Sequence, residues 1–523
     1  MDCAGNALFR VAQDASAVAN VQGGVGNYIP GCTSPLASNI NLEFNGNLPS
    51  VLINEMPDKI LLQIFSFLKH RELGKIARVC KRWRLIAYDS RLWQAVSLRP
   101  EFSGLHVNNT ETLLALINIR FGSTLRYIEL PCELITSPVL HDLANKCPNL
   151  KYMTLDFSNA MQLHDFNDLN AFPCNLRSLC ICLSEVIFLE GFMRRIYSCL
   201  SSLEVLHLIG TFELSSEAEE ENYEVINISK IKAHTPNLRI INMYGIGFVD
   251  DSHVEMLASN SIHLEVLALN FCLRVKGSSF SMLIQKCKKL KSLLLQHTGV
   301  EDSFMMAAPW EQSIIHELDL TSTELSKECL ENILLRMPGF IYLGLGYCEF
   351  FTDTILEKLM ETGKFMKLRA IDISHTNALS ENSIYNFLLT YGKNLKGLML
   401  SGKPKLTENF WLNVIPFLKN INGNNQNMIE SLLIWGDNSI NSLVSTQDMP
   451  HDLNDMVNEP WIVYAIFSQQ RLLFLDGVDH KVLSVLADDK SLVSLKGYKF
   501  PLVMRIGLHP KNPSELKKSF WKF

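Results

Sequence analysis

Residues 56–68 read M-P-D-K-I-L-L-Q-I-F-S-F-L, and they are followed by E-L at 72–73, V-C-K-R-W at 79–83 and D-S-R-L-W at 89–93. Proline in the first turn of a helix loses no useful donor, and an acid there complements the helix dipole, so Pro57 and Asp58 predict a helix start. Ile60, Leu61, Ile64, Phe65 and Leu68 then fall at helical spacing on one side. Leu73, Ile76 and Ala77 predict a second short apolar face, and Trp83, Ile86 and Ala87 a third. Three helices of about ten residues each enclose too little interior to stand alone. They are expected to be covered by a partner and by the chain that follows.

This run resembles an F-box. It matches the pattern L-P-x-x-[IL]-L-x-x-I-F-x-x-L, then acid-L, V-C-[KR]-x-W and D-x-x-L-W almost throughout, with Met56 where leucine is usual. The resemblance implies docking on a Skp-family adaptor and, through it, on cullin and RING subunits. Carried over position by position, the adaptor-binding residues are Pro57, Ile60, Leu61, Ile64, Phe65, Leu68, Leu73, Val79, Cys80 and Trp83, some of which must build the domain's own interior.

Charge and composition agree with a protein partner. The chain has 523 residues, is 47% hydrophobic and carries a net charge of −6. Eight bases (Lys69, Arg71, Lys75, Arg78, Lys81, Arg82, Arg84, Arg91) face only Glu72 and Asp89 between residues 69 and 91, so the remainder is acidic. A basic face on an otherwise acidic chain suits an acidic protein better than nucleic acid. No apolar run approaches the roughly 20 residues that span a bilayer. Residues 1–47, rich in Ala, Gly, Asn, Ser and Val, predict a flexible arm rather than a secretory signal.

From residue 125 a phrase L-x-x-L-x-L recurs, with apolar substitutions. It begins at Leu125, Leu150, Leu176, Leu203, Leu238, Leu264, Leu290, Ile315, Phe340, Leu368, Leu395 and Ile429. Such a repeat, with a period of about 26 residues, is the mark of leucine-rich repeats, each giving a strand and a returning helix. Trp93, Val96 and Leu98 read as an earlier, divergent copy. Ser137-Pro138, Asp251 and Thr352 predict helix starts before apolar faces. The repeats resemble the cysteine-containing kind found behind F-boxes. The expected fold is therefore α/β: a three-helix F-box with its junction at 48–98, then a curved solenoid at 99–436 with parallel strands on the concave face and helices outside. Divergent repeats, a cap and a tail follow at 437–523. Two long intervals hold an acidic loop, Ser215 to Glu221, and an asparagine-rich one, Asn422 to Asn427. The last stretch has Ser514 before basic and aromatic residues, and is expected either to cap the repeats or to fold back on their concave face.

Catalytic signatures are missing: there is no phosphate-binding loop, nucleophile elbow or H-E-x-x-H site. The thirteen cysteines are odd in number and scattered, as expected of thiols in a reducing compartment. Cys147, Cys272, Cys287 and Cys348 fall at shared repeat positions, which predicts packing. Strand alternation also brings Cys180 and Cys182 beside His207, an arrangement that either binds a metal or is coincidence on a ladder. No metal and no cofactor is expected.

The concave face is the expected target surface. Its exposed positions are expected to include Tyr127, Tyr152, Asp156, Asn242, Tyr244, Glu317, Asp319, Tyr342, Asp372, Leu433 and Trp435, with the acids suiting a target that carries bases. The expected function is that of a non-catalytic substrate-recognition subunit of an SCF (Skp–cullin–F-box) ubiquitin ligase in the cytoplasm or nucleus. It would hold an unidentified protein substrate and have no membrane or nucleic-acid partner. The alternatives are a Skp-bound scaffold without a degradation role and, further off, a leucine-rich-repeat regulator of a small GTPase.

Overall fold

A computed structural model describes residues 53–98, 105–184, 187–210 and 224–392, apart from residues 67, 69 and 261, and shorter stretches within 395–433. The N-terminal arm, the acidic loop at 215–221, the asparagine-rich loop, Trp435 and all of 437–523 lie outside the described residues. The chain divides into two compact units, residues 1–129 with 142–150, and residues 130–141 with 151–523.

In the first unit, helices α1 (Asp58–Phe65), α2 (His70–Ile76) and α3 (Lys81–Ala87) follow the apolar spacing of the sequence. Pro57 is the N-cap of α1, and its carbonyl accepts from the amides of Ile60 and Leu61. Cys80 caps α3, its sulfur accepting from the Trp83 amide at 3.4 Å. Arg82 of α3 reaches back to Asp58 of α1 at 2.7 Å, and the Trp83 ring meets Phe65 edge-on at 5.3 Å. Trp93 is fully buried and donates its indole hydrogen to the Ala87 carbonyl at 3.0 Å. It leads into β1 (Ala95–Ser97), which pairs in parallel with the first residues of β2 (Tyr127–Pro131). The Trp93-Val96-Leu98 phrase is thus a strand-forming copy of the repeat.

The second unit is built from β3 (Tyr152–Asp156), β4 (Ser178–Cys182), β5 (Val205–Ile209), β6 (Ile240–Tyr244), β7 (Val266–Ala268), β8 (Ser292–Leu294), β9 (Glu317–Asp319), β10 (Tyr342–Gly344), β11 (Ala370–Asp372), β12 (Gly397–Met399) and β13 (Ser431–Leu433). Each pairs in parallel with the next, in chain order. Every strand begins at the third residue of one copy of L-x-x-L-x-L. Helices Asp251–Asn260 and Asp353–Glu361 begin where their acid and threonine signals predict. The middle apolar residue of each phrase (Leu267, Leu293, Leu318, Leu343, Ile371) is wholly buried, which stabilises each by about 1.5–3 kcal/mol.

Three ladders tie neighbouring repeats together. Just before the strands, Arg177, Glu204, Arg239, Glu265 and Lys291 alternate in sign and pair at 2.7, 3.4, 2.8 and 3.2 Å in turn. At the helix starts, Asp251 accepts from the backbone of Lys276 and Gly277, Asp302 from Ser326 and Asp353 from Ser380. At the strand exits, Gly245, Phe271, His297, Ser322, Tyr347 and His375 all adopt positive φ, between 53° and 64°. Non-glycine residues avoid this region, so its recurrence at one repeat position is a built feature. The amides of Gly245, Phe271, His297, Ser322 and Tyr347 each donate to a carbonyl of the following repeat, as Phe271 does to Gln296 and Tyr347 to Ser374, both at 2.8 Å. Among the described residues, no helix is long and apolar enough to cross a membrane.

Candidate protein-interaction surfaces

The ten F-box positions separate into two groups. Leu61, Phe65 and Leu73 are 0–2% exposed and form the interior of the three-helix unit. The expectation that they touch an adaptor is corrected: a domain this small spends its best apolar residues on its own core. Leu68 and Trp83 are half-buried, and Pro57, Ile60, Ile64, Val79 and Cys80 are exposed. Ile60 and Ile64 stand one turn apart on α1, 42% and 39% exposed, while Val79 is 64% exposed. Leu85 on α3, which the motif does not single out, is 77% exposed. Its signal was an apolar residue out of step with Trp83, Ile86 and Ala87. Arg71, Lys75, Arg78, Lys81 and Arg84 are exposed around these groups. The unit therefore offers water an apolar set within a basic surround, which suits a partner with an apolar groove and acidic rim.

In the first unit Tyr127 is buried and donates to Glu129 Oε1 at 2.6 Å. In the second, the strand alternation sends one ladder, Tyr152–Ser178–Val205–Ile240–Val266–Ser292–Glu317–Tyr342–Ala370, to the sheet face opposite the leucines, in strict register. The positions two residues on form a second ladder that holds Cys180, His207, Asn242, Ala268, Leu294, Asp319, Gly344 and Asp372. Here the expectation of exposure is overturned. Tyr152, Asp156, Tyr244, Glu317, Asp319, Tyr342 and Asp372 are all buried, and only Asn242 is partly open. The reason is that registered parallel strands stack like positions about 4.8 Å apart, and here Val205, Ile240, Val266, Ala268, Leu294, Tyr342 and Ala370 merge into an apolar cluster of their own.

Within this face lies an acidic cradle. Glu317 and Asp319 share β9, and Asp372 comes from β11. Tyr342, between them on β10, donates to Asp319 Oδ2 at 3.2 Å. Burial and the nearby carboxylates of Asp319, Asp372 and Glu317 hold the Tyr342 phenol well above its usual value, so it stays a donor. Asp319 and Asp372 each accept a backbone amide two residues on, from Thr321 and Ser374, at 2.9 Å. Glycine makes the room: a Cβ on Gly344 would sit 2.4 Å from Asp319 Oδ1, and one on Gly346 3.1 Å from Asp372 Oδ2.

The thiols are a packing set. Cys147, Cys272, Cys287 and Cys348 are buried as their shared positions predict, and Cys272 and Cys348 donate to the carbonyls of Met243 and Leu320. Burial pushes these thiols up, Cys287 to about 11 and the other three to about 12. Cys174 and Cys199, one repeat apart, are instead joined as a disulfide, which departs from the reading of scattered thiols. Cys180 and His207 are register partners. His207 is pushed down to about 4 by burial and lies 3.4 Å from Asn242. No group of three or more His, Cys, Asp or Glu fit to hold a metal occurs among the described residues.

A basic three-helix unit with exposed apolar side chains and a set of registered parallel repeats define a class, and known proteins share its parts. The F-box-like family model matches residues 53–99. These residues thus match an F-box-like domain, and the chain is similar to F-box/leucine-rich-repeat proteins. It is 26% identical over 297 residues to F-box/LRR-repeat protein 12 of Bos taurus, covering 56% of this chain and 78% of that one. To the Homo sapiens protein of the same name it is 32% identical over 130 residues, 24% of this chain and 38% of that one. Among solved structures, the yeast Rad7 and Elc1 complex includes a chain 16% identical that covers 75% of this one with a TM-score of 0.41.

Proposed function

We propose that this chain is the substrate-recognition subunit of an SCF-type ubiquitin ligase, acting in the cytoplasm or nucleus. The F-box docks on a Skp-family adaptor and, through it, on cullin and RING subunits, while the repeats hold a target protein. The observation that carries the reading is the exposure of Ile60, Ile64, Val79 and Leu85 on the F-box-like unit. Apolar side chains of this size on a basic surface are what an adaptor groove covers. Ubiquitin transfer is assigned to other subunits, in keeping with the repeat thiols Cys147, Cys272, Cys287 and Cys348, which burial keeps protonated. The chain contributes proximity, presenting target lysines to a loaded conjugating enzyme.

The test is co-purification of the full chain with a Skp adaptor and cullin, beside Ile60→Asp/Ile64→Asp. These positions are exposed, so the variant stays folded. Capture by the natural sequence and loss in the variant supports the reading. Equal capture of both, or of neither, would sink it.

A further inference from the structure

At the edge where the chain enters its strands, the second unit carries a compact positive patch. Residues 286–291 read K-C-K-K-L-K, just ahead of β8, in a protein of net charge −6. Lys291 pairs with Glu265 at 3.2 Å. Lys286, Lys288 and Lys289 are exposed, and among the described residues none of the three pairs with a carboxylate. Lys288 donates instead to the Ile284 carbonyl at 3.4 Å, and the Lys289 ammonium lies 3.2 Å from Nδ1 of His263 on the preceding repeat. Like charges crowded on one loop repel one another, and an anion shared between them relieves the repulsion.

Strand register aligns this loop with its neighbours. Val266, Ser292 and Glu317 are partners on β7, β8 and β9. Four and three residues ahead of them stand Ile262–His263, Lys288–Lys289 and Ser313–Ile314. Ile262 and Ile314 are 66% and 48% exposed, so the lysine pair is flanked on both sides by apolar side chains open to water. A shallow recess lies beside the pair. Its floor is the buried Ile284, Leu290 and Ile315, and its rim the exposed Lys288, Gln312 and Ile314.

These features select among anionic partners. Residues 262–263, 286–291 and 312–315 include no Phe, Tyr or Trp on which a base could stack, which disfavours single-stranded nucleic acid. A recess with an apolar floor and a charged rim takes a side chain, whereas a flat lipid surface would leave it unfilled. We propose that the strand-entry edge of β7–β9 docks an acidic segment of another protein. Its carboxylates lie on Lys286, Lys288 and Lys289, and one apolar side chain enters the recess beside Ile314. The surface belongs to the repeats alone, so the proposal stands whether or not the F-box unit captures an adaptor.

The experiment titrates the full chain, without adaptor, into fluorescent synthetic peptides of acidic residues interrupted by one central Leu, Phe or Ser, read by anisotropy. The Leu and Phe peptides are expected to bind at least fivefold tighter than the Ser peptide. Lys288→Glu/Lys289→Glu, altered only at exposed positions, should weaken all three at least tenfold. Ile314→Ser should abolish the central preference and leave the affinity for the Ser peptide unchanged. Binding that is absent, equal for the three peptides or unaltered by the charge reversal overturns the proposal. A second arm sediments the chain with vesicles of phosphatidylserine and phosphatidylcholine. Retention lost in the charge-reversed variant, with no peptide binding, would assign the edge to a membrane; self-association lost in that variant would assign it to a second copy. Either result overturns the proposal as well.

Discussion

The hydroxyl of Tyr342 lies 3.2 Å from Oδ2 of Asp319, on neighbouring parallel strands and out of water. A buried acid that accepts from a phenol is sensitive to loss of that donor, because its desolvation is no longer offset. Tyr342→Phe is expected to lower stability by about 1–3 kcal/mol. The same change in an Asp319→Asn background should cost clearly less. Urea unfolding of the four proteins measures the coupling, and additive effects would show that the pair is not coupled.

Gly344 exists for that pair. Any Cβ there falls on Asp319, so Gly344→Ala is expected to destabilise by about 1–3 kcal/mol through displaced side chains. Gly74 gives the opposite sign: it sits in α2 with nothing within 4 Å of the position a Cβ would take. Gly74→Ala should stabilise by about 0.5–1 kcal/mol, since alanine is the better helix former. Thermal unfolding of both variants checks the two signs together.

His207 predicts a pH dependence. Its folded value is depressed from 6.5 to about 4 by burial. The unfolded chain therefore binds the proton more readily between these values. The stability that His207 contributes is complete above about pH 6.5 and is lost as pH falls towards 4, by roughly 3 kcal/mol at most. His207→Gln should flatten that part of the curve relative to the natural chain. Parallel curves from denaturant melts at pH 7, 6, 5 and 4.5 would remove His207 from the account.

Glu265 bridges Arg239 and Lys291 while only 11% of its side chain is exposed. Glu265→Gln leaves two bases facing each other and is expected to cost about 1–2 kcal/mol, more than an isolated surface pair. Part of the cost should fade at high salt. A deficit unchanged between low and high salt would show that packing, not charge, is lost.

Leu61→Ala addresses the F-box interior. The side chain is wholly buried, so the change should cost about 2–4 kcal/mol of stability. Any loss of adaptor capture would then track unfolding of the three-helix unit. Capture by the still-folded fraction, followed by circular dichroism alongside pull-down, should remain.

The strand positions were legible in the sequence because an apolar phrase with fixed spacing leaves one way to bury its leucines. Each copy from Leu125 to Ile429 starts a strand at its third residue. The helix starts at Asp251 and Thr352 were legible for a similar reason, as caps act through near neighbours. What escaped depends on contacts across repeats. Alternation places Glu317 and Tyr342 on the correct face but says nothing about what lies over it, so exposure was misread. The pairing of Cys174 with Cys199 depends on two loops meeting, which spacing alone does not reveal. In the F-box, the pattern marks Ile60 and Leu61 alike, and only the packed helices tell the outward residue from the inward one.

The left-handed turns at Phe271, His297, Ser322 and Tyr347 give the array a direction. Each awkward backbone is held by a carbonyl of the repeat that comes after it. Losing a later repeat therefore releases strain in the one before, while losing an earlier repeat leaves the next turn's own support in place. Unzipping should propagate more easily towards the F-box than away from it. A chain pulled from its two ends in turn would then yield at different forces, a mechanical one-way grain.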